Sequence, residues 1–272
     1  MAKQKKQKGG STGRGKKKES EERDETLAQM STPELLEHMV SLGLNVSKDL
    51  ALEITRREDA LFYLRKMLQD GKYWYQDGPG DGWAPIHAIH ILALINTMDA
   101  LELLRDILRY RGEDLGDWLT EDMPTLLAAF GDDAIELLKA FAGDETLESL
   151  VRGAATTALN VIAHRNPARR EEIVNYFRLL LQDTTDRLFG TLLIGELLSF
   201  RDPSVLDPVY AAFDAGWVDT SFICREEVEE ILNAPEKEQE YMIFMKKDPL
   251  KHFSPENIDR LTQINYPEEE EK

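Results

Sequence analysis

The sequence predicts an all-α fold, an α-solenoid of about five helix pairs with helical caps and disordered termini, on three observations. Leu, Ala and Glu recur at helical spacing while β-branched runs are sparse. The hexapeptide Asp99-Ala100-Leu101-Glu102-Leu103-Leu104 returns 34 residues later as Asp133-Ala134-Ile135-Glu136-Leu137-Leu138, and that offset is the period of a helix-pair repeat. Residues Gly131 to His164 spell out one whole repeat. Asp132 caps a first helix carrying Ile135, Leu137, Leu138 and Phe141, and Gly143 ends it. The second helix spreads Leu147, Leu150, Val151, Ala154, Ala155, Ala158, Leu159 and Ile162 over more than one stripe, so it is squeezed between neighbours. A hairpin of this kind buries its surface only by stacking on further copies.

Composition bounds the rest. A 42% hydrophobic content over 272 residues supports a continuous core. No run approaches the ~20 apolar residues that span a bilayer, and the amino terminus has no apolar signal core. A soluble, cytoplasmic protein without membrane contact is expected. The single cysteine, Cys224, excludes an intrachain disulfide and a cysteine-cluster zinc site, and reads as a small buried residue. Charge is uneven: residues 1 to 18 hold seven Lys and one Arg with no acid, whereas the remainder holds 25 basic and 51 acidic side chains. So acidic a body disfavours a phosphate backbone, and nucleic acid is expected only through the basic arm, residues 1–25.

In chain order, residues 1–30 read as a disordered arm, with no large apolar side chain between Met1 and Leu27 to offset the entropy of ordering. Residues 31–82 form an N-terminal helical cap and an aromatic, glycine-rich loop. Ser31-Thr32-Pro33-Glu34 is a helix start with capping-box spacing, and Ser47 caps the next helix. The stretch Gly71 to Trp83 combines four glycines and Pro79 with Tyr73, Trp74, Tyr75 and Trp83; it is either a lid on the first hairpin or a contact site. Repeats occupy residues 83–233, with second helices starting near Trp83, Glu121, Glu148, Thr185 and Phe222 and lining a concave groove. A C-terminal helical cap, residues 234–263, and an acidic tail, residues 264–272, close the chain.

Leu150-Val151-Arg152-Gly153-Ala154-Ala155, followed by Ala158-Leu159 and preceded by Asp144, resembles the second helix of HEAT repeats. In that family the arginine pairs with an aspartate of the inter-helix turn, which implies structural roles for Asp144 and Arg152. Trp83-Ala84-Pro85-Ile86-His87-Ala88, then Asp117-Trp118-Leu119-Thr120-Glu121-Asp122-Met123-Pro124, is similar to an uncharacterised prokaryotic family of HEAT-like proteins. That resemblance covers about residues 60 to 215 and implies no activity. Some of its members carry an extra zinc module, whose cysteines this chain lacks.

No catalytic set emerges. His87 and His90 stand at i and i+3 and could share a metal, with Asp122 or Glu121 as a third ligand; the bland alternative has one imidazole capping backbone groups of the aromatic loop. An iron hydroxylase of HEAT-like fold is built on His-Glu dipeptides, and His38, His87, His90, His164 and His252 are followed by Met, Ala, Ile, Arg and Phe. The expectation is a non-catalytic interaction scaffold without cofactor or metal. It would bind a protein or peptide partner through the groove and an acidic turn edge, using Trp74, Trp83, His87, His90, Asp117, Glu121, Asp122, Asp132 and Asp133. The alternative is a metal-dependent enzyme or metal-binding protein using His87 and His90.

Overall fold

The computed structural model describes residues 26–235 and 241–266, and every regular element among them is helical. The expected basic arm, residues 1–25, lies outside the described residues, as do residues 236–240 and most of the expected acidic tail, 267–272. Residues 26–30, assigned to the arm, are part of the fold. Leu27 is buried, and Arg57 donates from Nη2 to Leu27 O and Ala28 O at 3.1 Å each.

Local chemistry sets the first helices. The Glu34 carboxylate accepts from both Ser31 N and Ser31 Oγ at 2.7 Å, opening α1 (Thr32–Ser41). Ser47 Oγ accepts from Leu50 N at the start of α2 (Lys48–Thr55), and α3 (Ala60–Gln69) completes the entry unit. The aromatic loop then folds down: Trp74 donates to Leu68 O at 2.9 Å, Arg111 lies over its ring, and Trp83 is buried.

Helices begin within about two residues of the starts expected at Trp83, Glu121, Glu148 and Thr185, whereas the start expected near Phe222 falls at Glu227. At the positions expected of second helices stand α4 (Trp83–Ile95), α7 (Met123–Ala128, after the short α6, Trp118–Glu121), α9 (Ser149–Arg165), α11 (Arg187–Ser199) and α13 (Glu227–Asn233). Between them in the chain lie α5 (Met98–Arg111), α8 (Ile135–Ala142), α10 (Arg170–Asp183) and α12 (Leu206–Asp214). Along the chain α4 packs on α7, α7 on α9, α9 on α11 and α11 on α13. The broad apolar coverage of α9 has its reason here, because α7, α8, α10 and α11 all contact it. Gly153 permits the α9–α11 approach, since a Cβ there would meet Leu192 Cδ1 at 2.7 Å.

Three local expectations differ from what is found. Asp132 caps nothing; Asn166 and Arg169 both donate to its carboxylate at 3.0 Å, and the backbone at Gly131–Ala134 is a 3-10 turn. Arg152 does not pair with Asp144. It is buried, donates to Ala142 O at 3.0 Å, lies over Phe189, and approaches Asp186 of the following turn at 3.7 Å, while Arg109 takes Asp144 at 2.7 Å. Cys224 is half-buried rather than core.

The largest departure is the carboxy-terminal segment, α14 (Tyr241–Met245), a 3-10 turn (Pro249–Phe253) and α15 (Pro255–Asn265). It does not extend the row beyond α13 as an exit cap. It returns to the amino-terminal half, with α14 against α7 and α9 and the 3-10 turn against α4 and α2. Among its described side chains only Phe253 and Leu261 are fully buried apolar anchors, with Phe244, Met245, Leu250 and Ile258 partly buried. Each fully buried side chain contributes about 1.5–3 kcal/mol. Ordering a residue costs about 1–2 kcal/mol, so apolar anchorage of these residues is thin and polar contacts carry weight.

Candidate metal centre

The helix α4 is buried on nearly all sides, so His87 and His90 are carried into the interior with it. Burial pushes the His87 pKa down to about 4, opposed by its bond to Gly43, and burial also holds His252 well below the usual imidazole range. Both rings are therefore neutral near pH 7, and each carries one N–H. That condition fixes the tautomers along a chain of contacts. His87 Nε2 faces Gly43 O at 2.8 Å and must donate; its bare Nδ1 then accepts from His252 Nε2 at 2.9 Å. The remaining His252 nitrogen, Nδ1, is left bare, buried and without a partner. Gly43 offers its carbonyl from the left-handed conformation, φ 52°, that ends α1.

His90 Nδ1 donates to Ile86 O, one turn back on α4, at 2.8 Å, which turns Nε2 toward Asp122. His90 Nε2 and Asp122 Oδ2 lie 3.4 Å apart. Burial alone would raise the Asp122 pKa, but the nitrogens of His90 and Lys247 outweigh it and hold it down at about 2. The other oxygen, Oδ1, accepts from Lys247 Nζ at 2.6 Å. Asp122 is thus ionised and oriented by a second charge.

Ligand atoms of His90, Asp122 and His252 all lie within 4.8 Å of one another. Trp118 meets the rings of His90 and His252 edge-on, Trp83 stacks on His87, and Phe253 packs against His252. Two imidazoles and one carboxylate, walled by aromatic side chains, make a small, largely buried cluster of candidate ligand atoms.

The residues singled out from sequence do not form one surface. His90 and Asp122 come together in the cluster, whereas His87 stands behind it with both nitrogens engaged, so the expected His87/His90 pair is not the ligand pair. Trp83, His87 and His90 are buried and closed to a partner, and Trp74 is half-buried on its own loop. Asp117, Glu121, Asp132 and Asp133 are exposed, but Asp132 is already held by Asn166 and Arg169, and Glu121 O accepts from Lys247 Nζ. His252 and Lys247 were not singled out. They sit in a stretch of short apolar and charged runs in which the repeated hexapeptide does not return, and neither residue type stands out there.

These features define an all-helical protein with a buried two-histidine, one-carboxylate cluster; among the described residues no helix is long and apolar enough to cross a membrane. The chain belongs to the DUF1186 family of proteins of unknown function, whose model matches residues 33–263 and so spans both parts of the cluster. It is 26% identical over 215 residues to an uncharacterized protein of Chlamydia trachomatis, covering 75% of this chain and 85% of that one. An uncharacterized protein of Chlamydia muridarum is 25% identical over 215 residues, 75% of this chain and 86% of the relative. No solved structure matches.

Proposed function

We propose that this protein binds one divalent transition-metal ion through His90 Nε2, His252 Nδ1 and the Asp122 carboxylate, on a scaffold of about five stacked HEAT-like helix pairs. The observation that carries the reading is the bare, partnerless Nδ1 of His252, buried beside His90 and Asp122. A buried polar atom left without a partner costs free energy, and an ion held between His252 Nδ1, His90 Nε2 and the Asp122 carboxylate would satisfy it. The 3.4 Å between His90 Nε2 and Asp122 Oδ2 points the same way. A charge-assisted hydrogen bond is shorter, about 2.7–2.9 Å. The edge of a tetrahedron with 2.0–2.1 Å metal–ligand bonds is about 3.3 Å.

Nitrogen-rich ligation suits zinc or ferrous iron and disfavours calcium and magnesium, which take oxygen ligands. The rings of His90 and His252 are stacked with an interplanar angle of 17°, so coordination requires one ring to tilt until both planes reach the ion. His252 is the freer of the two, being on a 3-10 turn. Three protein ligands leave one position open, yet the side chain of Asp122 is only 18% exposed and that of His90 3%. The 730 Å³ cleft between α1, α3 and the aromatic loop is lined by none of the three. The centre is therefore read as structural or regulatory rather than as a turnover site. A scaffold binding partners in the groove remains a second reading, favoured by the row of second helices, but its partner would have to replace residues 241–266 on that face.

The test is metal analysis of the full chain prepared without an affinity tag, followed by titration with Zn²⁺ and Fe²⁺. About one equivalent is expected, and the double change His90→Ala, His252→Ala should abolish it. A folded wild-type chain that takes up neither ion sinks the proposal.

A further inference from the structure

The cluster draws its ligands from distant parts of the chain. His90 and Asp122 belong to α4 and the start of α7, His252 to the 3-10 turn between α14 and α15. We infer that residues 241–266 are a latch closed by the metal ion: with the ion bound the segment is pinned across α4, α7 and α9, and without it the segment is released from that face. This rests on the metal-binding reading above and adds to it what the ion controls.

Three observations carry the inference. Among the described side chains of the segment only His252, Phe253, Ser254 and Leu261 are buried, and Ile243, Ile264 and Tyr266 are exposed although apolar. The polar contacts between the segment and the body converge on the cluster. His252 bonds His87, and Lys247 bonds both Asp122 and Glu121 O; Tyr266 Oη, 3.3 Å from Trp83 Nε1, lies apart from them. Finally, α7 and α9, which α14 covers, also pack on each other, and α9 packs on α8, α10 and α11 as well, so the segment is one of several neighbours of these helices.

Linkage then fixes the behaviour. An ion coordinated by two side chains from the body and one from the segment binds well only when the segment is docked. By reciprocity the bound ion favours docking by the same factor. Released, the segment would uncover the row of second helices, which is where a groove-binding partner would have to act. Metal supply would thereby decide whether that face is open.

The experiment uses the full chain with residues 236–240 replaced by the recognition sequence of a site-specific protease. After cleavage, size-exclusion chromatography with added Zn²⁺ should keep the fragment from residue 241 onward with the body. A chelator should release it, weakening its apparent affinity at least tenfold, with a red shift of emission from Trp83 and Trp118. In a His252→Ala version retention should no longer respond to zinc. Equal retention with and without zinc, or equal loss, in a chain that binds about one zinc before cleavage overturns the latch and leaves the metal centre standing. Failure of the uncut chain to bind either zinc or ferrous iron overturns both.

Discussion

His87 Nδ1 and His252 Nε2 lie 2.9 Å apart although 165 residues separate them in the chain. Because His87 spends its own N–H on Gly43 O, it acts on His252 as an acceptor and thereby exposes the opposite nitrogen. It is a positioning residue. His87→Ala should lower zinc affinity by about 10–100-fold, the usual effect of removing a group that orients a ligand, while His252→Ala should remove binding. His87→Gln keeps an acceptor for His252 and should recover part of the loss. Calorimetric titration of the three variants separates these outcomes; equal affinity of wild type and His87→Ala would contradict the assigned tautomers.

Arg152 tests the inter-pair register. Its guanidinium is buried against Phe189 and reaches Ala142 O and Asp186, and Asp186 in turn caps α11 by accepting from Phe189 N at 3.0 Å. Arg152→Ala leaves a buried carbonyl without its donor and a cavity beside the ring. Since Asp186 keeps a third of its exposure, the loss falls below that of a fully buried pair, about 2–4 kcal/mol in denaturant unfolding. Arg152→Lys should restore less than half, having no planar fork to span both acceptors. A change within 0.5 kcal/mol for Arg152→Ala would refute the role.

Asp144 gives a pH dependence. Hydrogen bonds from Thr146 and then Arg109 hold its pKa at about 2, below the ordinary 3.8. A carboxyl acidified by folding stabilises the native state above its unfolded pKa. That contribution should be complete above pH 4, decline as pH falls through about 2, and be absent in Asp144→Asn. Urea midpoints of the two chains measured from pH 6 down to pH 2 should converge as the carboxyl protonates. Parallel curves would show that Asp144 contributes no pH-dependent stability.

How much of this was legible in the sequence follows from the range of the interactions. Helix starts at Trp83, Ser149 and Arg187 depend on apolar periodicity, helped at Arg187 by the Asp186 cap, both written within a few residues, and they appear within about two residues of where the pattern puts them. Asp132 has the residue type of a cap, yet Asn166 and Arg169 from the next pair outcompete the helix end for its carboxylate. The cluster was half legible: the His87/His90 spacing and Asp122 are visible as candidates, but which imidazole binds depends on Gly43 O and on His252, 44 and 165 residues from His87. No local pattern encodes that the carboxy-terminal segment turns back. The glutamates that flank it, Glu226 to Glu240 before and Glu268 to Glu271 after, make it look like a solvated cap, and only the folded path brings His252 to α4.

The amino terminus supplies the last prediction, because the border between arm and fold is sharp in chemistry. Residues 1–25 contain no large apolar side chain after Met1, whereas Leu27 is buried and its carbonyl, with that of Ala28, accepts from the Arg57 guanidinium. Deleting residues 1–25 should leave the melting temperature within a degree or two, as expected for changes remote from any core. Deleting residues 1–30 removes Leu27 and leaves Arg57 with Glu53 alone, so it should cost roughly 2–4 kcal/mol and several degrees. Binding should divide the other way. With a body so rich in acid, retention on RNA at low salt should depend wholly on the +8 of residues 1–18, falling steeply with added salt and vanishing in both truncations. Melting curves and salt-series RNA binding of the three chains decide it: RNA retention by the chain lacking residues 1–25 would place the nucleic-acid contact on the folded body, and equal melting of both truncations would remove Leu27 from the core.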